Sequence, residues 1–338
     1  MIIYTAQDHM NNIQIYTSLI DEYIAYKQAQ GYKMTGIKDR LYRFERFAIS
    51  SGESEIGISK RLMDLWIQPF PMETECNRYQ RISIVRQFSS FLQLMGYKSY
   101  IPKLPKFNST YVPYIFTQNE MERIFYETDR LRVSKNYPRS FKNTMPVLIR
   151  VLYSTGIRIG EAIKLKHSDV NLIDGYLHLK GCKNGCERVV PLSTSTISVC
   201  KDYLAYKLRI GVDINPDSFF FTSDKGETGT IATIYQLFRQ ILYRAKIHHS
   251  GKGKGPRLHD LRHTFCVNSL ASLAQRGYDL YYSLPILMTY MGHRSIDATN
   301  KYVRLTEELY PGLISKIDET YDSLFPTLTP KNDNYEDD

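Results

Sequence analysis

The sequence is sparing with cysteine, has a single tryptophan, and contains no long apolar run. Its five cysteines, Cys76, Cys182, Cys186, Cys200 and Cys266, are an odd and scattered set, which excludes a disulfide framework. No stretch of roughly eighteen apolar residues occurs, so no membrane-spanning helix is expected. The opening residues, MIIYTAQDHMNNIQ, lack a basic segment leading into an apolar one. No signal peptide is therefore expected, and the cytosol is the expected location. There is no internal repeat. GKGKGPR (251–257) lacks both the GxxxxGK[ST] frame and a preceding strand, which excludes a nucleotide-binding P-loop.

What is present reads as an ordinary globular chain, 43% hydrophobic and 23% charged over 338 residues, long enough for two domains with real cores. The net charge is +9, divided as +4 over residues 1–110, +8 over 111–325 and −3 over the short tail 326–338. A basic body suits a polyanionic partner, most often nucleic acid. The plainer alternative is that the charge only keeps the protein soluble.

Residues 12–108 read as helical. Ile13, Tyr16, Leu19, Ile20, Tyr23 and Ile24 form one apolar stripe at helical spacing. Further helices are expected around 36–50, 58–68 and 78–96, the last with Ile82, Val85, Phe88, Phe91 and Leu92 on one face. Arg78, Arg81 and Arg86 lie along that last helix and read equally as a solvated face or as DNA phosphate contacts. The segment 101–114 carries three prolines, two lysines and no helical period, and reads as a linker. Thr117 followed by Glu120 is a capping box that opens the next helix. Residues 175–192 alternate on both sides of Asn184-Gly185, the pattern of a β-hairpin inside a helical region. Residues 311–325 read as a short amphipathic helix. The expected class is mainly α: a helical N-terminal domain (1–100), a linker (101–115), a mostly α domain with a small antiparallel β-ribbon (116–325), and an acidic, disordered tail (326–338).

Four separated segments carry the chemistry. In LHDLRHT (258–264), His259 and Arg262 are three apart and share a helix face, joining a proton-transfer group to a phosphate clamp. His263, one step round, is expected to cap the helix or sit in the core. TGIRIGE (155–161) sets Arg158 at a helix start, where anions are favoured, with Glu161 one turn on as an ion-pair partner. Lys183 stands at the hairpin tip, with Lys180 as its competitor for any role there. MGHRSIDATNKY (291–302) holds His293 and Tyr302, though among 27 tyrosines any one is first expected to be half-buried with a wet hydroxyl. The basic loop with Lys252, Lys254 and Arg257 suits tracking of a phosphate backbone. Cys182 and Cys186 lack a second pair, which makes a poor zinc site, so no metal is expected.

Taken in order, Arg, Lys, His-x-x-Arg, Gly-His and Tyr resemble the tyrosine recombinase (phage integrase) family from about Thr117 to Tyr302. The resemblance implies a helical core-binding domain and a catalytic domain on double-stranded DNA, with self-association into a tetramer, possible accessory recombination proteins, and neither cofactor nor metal. It implies that Tyr302 attacks a phosphate to form a 3′-phosphotyrosine, that Arg158 and Arg262 clamp the phosphate, and that Lys183 protonates the leaving 5′-oxygen. His259 would assist proton transfer at the tyrosine, His293 would bond the phosphate, and Glu161 would support Arg158. GCKNGCER departs from the family's shorter turn, which leaves Lys180 in contention. The implied activity is recombination for a mobile element. An Xer-like dimer-resolving recombinase and a type IB topoisomerase are the alternatives; a regulator that has lost its chemistry and an RNA-binding protein fit the residue set less well.

Overall fold

The computed structural model describes residues 6–53, 57–106, 112–133, 139–181, 187–251, 255–293 and 295–310. The chain divides into two compact units, Met1–Tyr111 and Val112–Asp338.

Four helices build the first unit: α1 (Ala6–Ala29), α2 (Ile37–Ser50), α3 (Lys60–Ile67) and α4 (Glu75–Leu94). Their starts follow from local chemistry, since the Ser59 and Thr74 hydroxyls accept the backbone N–H of Leu62 and Asn77. The apolar stripes converge on one core holding Ile20 and Tyr23 of α1, Leu41 and Phe44 of α2, Trp66 of α3, and Val85 and Phe88 of α4. Each such side chain contributes about 1.5–3 kcal/mol by leaving water. Phe44 meets Trp66 edge to face at 5.0 Å, a geometry that adds to the burial.

The second unit is also mainly helical, with α5 (Gln118–Asp129), α6 (Met145–Thr155), α7 (Ile159–Ala162), α8 (Thr194–Arg209), α9 (Ile231–Arg244), α10 (Asp260–Gln275), α11 (Leu280–Met291) and α12 (Asp297–Leu309). The expected capping box opens α5, with Thr117 and Glu120 each serving the other's backbone. Helix α6 is apolar on nearly every side (Val147, Leu148, Ile149, Val151 and Leu152 are all buried) and so becomes the central element of the unit. It stops at Gly156, whose φ of 62° is left-handed and whose missing Cβ would fall 2.5 Å from the Phe265 ring. The hairpin forms from β2 (Tyr176–Leu179) and β3 (Arg188–Pro191), antiparallel, with Leu177 opposite Val190 and Leu179 opposite Arg188. Sequence reading missed a third strand, β1 (Val170–Asn171), which pairs with β2 and gives the order β1-β2-β3. Two residues are too few to show alternation. The Asn184-Gly185 turn, Cys182, Cys186, Lys183, Lys252, Lys254, the 311–325 helix and the acidic tail lie outside the described residues.

No described helix is long and apolar enough to cross a membrane.

Candidate active site

The site is built where several helices of the second unit begin or end. The chain leaves α6 through Gly156 and turns into α7 at Arg158, which sits extended (φ −74°, ψ 144°) just before the helix. Glu161 closes this turn: its carboxylate accepts the Arg158 backbone N–H and the Arg158 guanidinium, each at 2.9 Å. The same carboxylate is gripped by Arg188 of β3, at 2.8 and 3.2 Å. Burial would raise the Glu161 pKa, but Arg188 and the Arg158 backbone and side chain overcome it and hold it at about 2. Arg188 was not foreseen, because its partner lies 27 residues away on another element.

Arg262, in the first turn of α10, is 2% exposed. Its guanidinium donates to the Gly156 carbonyl at 2.7 Å and the Met291 carbonyl at 2.7 Å, and lies 3.0 Å from Nε2 of His293. Burial first, and then the charge of Arg158, lower its pKa to about 10, so it stays a cation at neutral pH. His293 follows Gly292, the left-handed end of α11, and its Nδ1 lies 2.8 Å from the Thr299 hydroxyl at the start of α12. A hydroxyl on one ring nitrogen and a guanidinium on the other fix the imidazole plane.

Tyr302 of α12 is 1% exposed rather than half wet. Its ring lies 6.4 Å from that of His293 at 17°, and Nζ of Lys301 stands 5.1 Å over it. Its hydroxyl is 2.7 Å from Nδ1 of His263, not of His259. The α10 ring in contact with the hydroxyl is therefore that of His263. His259 is the residue that precedes the helix and touches the His263 ring edge to face at 4.9 Å. His263 is buried, as expected of a core histidine, but its ring faces the tyrosine hydroxyl.

The electrostatics have one sign. Burial, followed by Arg262, Arg158 and Lys301, holds His259 at about 4, and does so although the residue keeps an exposed edge. Burial and the same three cations, with Arg188, hold His293 at about 4. Burial raises the Tyr302 pKa above its ordinary 10, and Arg262 and Arg158 pull it back only in part. Arg262, Arg158 and Lys301 thus lie about the tyrosine, with Glu161 pairing Arg158 and Arg188, and the cations favour an anion there.

Elsewhere the expected residues separate. Arg81 is tied up within the first unit: it donates to both oxygens of Glu73 at 2.7 Å and to the Gln68 carbonyl at 2.9 Å, and it also bonds the Trp66 carbonyl. Its guanidinium lies 3.9 Å over the Phe70 ring. That corrects the reading of Arg81 as a phosphate contact. Arg78 donates to the Ile67 carbonyl at 2.8 Å, while Arg86 lies half-buried further along α4. Arg257 is half-buried, its backbone N–H held by Asp260 at 2.6 Å. Lys180, the rival of Lys183, pairs with Asp169 at 2.6 Å.

A buried tyrosine hydroxyl beside clustered guanidinium and imidazole groups is an arrangement whose charge suits a phosphate. The sequence profile of the phage integrase family matches residues 115–308, and the chain belongs to that family, the tyrosine site-specific recombinases that cleave and rejoin DNA. It is 26% identical over 308 residues to the integrase/recombinase y4rB of Sinorhizobium fredii, covering 90% of this chain and 97% of that one. It is 27% identical over 312 residues to tyrosine recombinase XerC of Oceanobacillus iheyensis, covering 88% and 94%. Among solved structures, its fold is similar to XerH recombinase bound to a palindromic difH substrate in a post-cleavage complex (TM-score 0.60, 20% identity, 84% of this chain and 77% of that one). It is also similar to a lambda integrase dimer bound to a core site (TM-score 0.57, 16% identity, 84% and 76%).

Proposed function

We propose that the chain recombines double-stranded DNA at specific sites through a 3′-phosphotyrosine on Tyr302, in the service of a mobile element. The observation that carries this reading is the convergence of Arg158, Arg262, His259 and His293 on the Tyr302 side of one unit. Oη of Tyr302 attacks phosphorus as its proton passes to His259, the bond to the 5′-oxygen breaks, and that oxygen takes a proton from Lys183. Arg158 and Arg262 hold the non-bridging oxygens and favour the extra charge of the transition state, each such donor contributing roughly 3 kcal/mol. The new ester keeps the energy of the old one, so the 5′-hydroxyl can attack in reverse without ATP or metal.

In this reading residues 1–100 grip the duplex, 101–115 connect, 116–325 carry the chemistry, and four copies assemble on paired sites. The pairing of Lys180 with Asp169 favours Lys183 as the acid. A dimer-resolving recombinase of the Xer kind is the second reading, supported by the match to 94% of XerC.

The test is incubation in EDTA with a supercoiled plasmid carrying the DNA that flanks the gene, followed by a denaturing gel. A covalent protein–DNA band from the wild type, absent with Tyr302→Phe, is expected. A band that persists in Tyr302→Phe overturns the assignment.

A further inference from the structure

We propose that Arg188 is a positioning residue for the phosphate clamp: it shares the Glu161 carboxylate with Arg158, so that the carboxylate orients the Arg158 guanidinium without cancelling its charge. The inference rests on the reading of Arg158 as a group that holds the phosphate. Three observations carry it. The first is the bonding at Glu161. Oε1 accepts from Nη1 of Arg158 at 2.9 Å and from Nη1 of Arg188 at 3.2 Å. Oε2 accepts from the Arg158 backbone N–H at 2.9 Å and from Nη2 of Arg188 at 2.8 Å. Arg188 thus lies along both oxygens, the stronger bidentate form, while the Arg158 guanidinium meets Oε1.

The second is access. The Arg188 side chain is 11% exposed and that of Arg158 24%, so Arg158 is the more open of the two to a ligand. The third is the seat of Arg188. A Cβ on Gly292, the residue before His293, would stand 3.2 Å from Nη1 of Arg188, closer than ordinary contact. The guanidinium is therefore set between the Glu161 turn and the turn that presents His293, on a strand whose register pairs Arg188 with Leu179. Burial works to raise the Glu161 pKa, and Arg188 is foremost among the groups that lower it, ahead of the Arg158 backbone and side chain. One carboxylate and two guanidinium groups together carry one positive charge. With Arg188 removed, the Glu161 charge would bear on Arg158, and a phosphate oxygen would have to compete with it in a site poorly screened by water.

The experiment uses the full chain and a nicked duplex carrying the recombination site, which traps the covalent complex. Arg188→Met should slow its formation about tenfold, less than the loss of a clamp itself. Arg188→Lys, which keeps a charge, should lie between that variant and the wild type. In the double variant Arg188→Met with Glu161→Gln, the anion goes with the cation, and the amide oxygen still accepts from Arg158. It should regain most of the wild-type rate, which a merely structural role for Arg188 would not give. A double variant no faster than Arg188→Met overturns the proposal, as does an Arg188→Met rate equal to the wild type. Should Arg188→Met fail to fold, a double variant as slow as Arg158→Ala overturns it. A second duplex carries a methyl group in place of one non-bridging oxygen of the scissile phosphate, and so has no charge there for Arg158 to meet. On it Arg188→Met and Arg188→Lys should fall behind the wild type by less than on the phosphate; an equal lag also overturns the proposal. Arg158→Ala at the wild-type rate on the phosphate would instead bring down the reading of the clamp.

Discussion

In the first unit Arg81, 7% exposed, lays its guanidinium along both oxygens of Glu73, while in the second Arg262, 2% exposed, makes its hydrogen bonds to two carbonyls and an imidazole. Both are arginines on helices, and both are buried. The difference is in the acceptors: Arg81 meets a carboxylate along its whole edge, whereas Arg262 meets carbonyls and an imidazole, and the nearby Glu161 serves both Arg158 and Arg188. A buried cation with its own anion holds a fold together. A buried guanidinium held by neutral acceptors keeps its charge for an incoming anion.

The sharpest way to break that contrast is to exchange the two outcomes. Arg262→Gln should cut the rate of covalent-complex formation at least about a hundredfold on nicked duplex, and Arg262→Lys should not restore it, because an ammonium lacks the planar fork. A variant retaining near-normal cleavage would place the phosphate elsewhere. Arg81→Ala should instead cost stability, about 3–5 kcal/mol in urea unfolding, because Glu73 is left buried and alone. Replacing both, as Arg81→Met with Glu73→Leu, should recover most of that loss. Glu161→Gln should remove stability on the order of 3 kcal/mol at neutral pH, the worth of a pKa held at about 2 against 4.5. The wild type holds this contribution above about pH 4.5 and sheds it as the pH falls towards 2, so acid titration should bring wild type and variant together.

The histidines sharpen the comparison further. Seven of the eight lie beyond residue 111, with His9 alone before it. His259, His263 and His293 sit at about 4, 3 and 4 in the folded state, below the ordinary 6.5, so unfolding takes up protons between those limits. Stability of the second unit should be whole above about pH 6.5 and decline towards 4, and a triple His→Gln variant should flatten that slope in thermal melts. The smallest effect is expected at Lys180, half-exposed and paired with Asp169: Lys180→Ala should leave cleavage within about twofold, while Lys183→Ala should abolish it.

Much of this was legible in the sequence. Apolar spacing located α1 to α4, Thr117 and Glu120 marked the start of α5, and the residues singled out in TGIRIGE, LHDLRHT and MGHRSIDATNKY lie together in the second unit. What escaped were partnerships across the chain. Whether His263 is a cap, a core residue or the partner of Tyr302 depends on how α10 and α12 pack, 39 residues apart in sequence. Arg81 on a helix gives no sign that Glu73, in the preceding loop, folds back onto it. Arg188 reads as one more strand residue until β3 brings it to Glu161. Periodicity reports which face is buried, not which polar atom waits there.

The two carbonyls that hold Arg262 come from the ends of α6 and α11, where each helix gathers roughly half a unit of negative charge from its aligned peptides. The guanidinium is therefore balanced by backbone dipoles, which carry no proton to gain or lose. Acid that would silence a carboxylate leaves this balance in place, because the groups that accept from Arg262 here are two carbonyls and not a carboxylate. The clamp is set by the course of the chain, and it stays set for as long as the two helices end where they do.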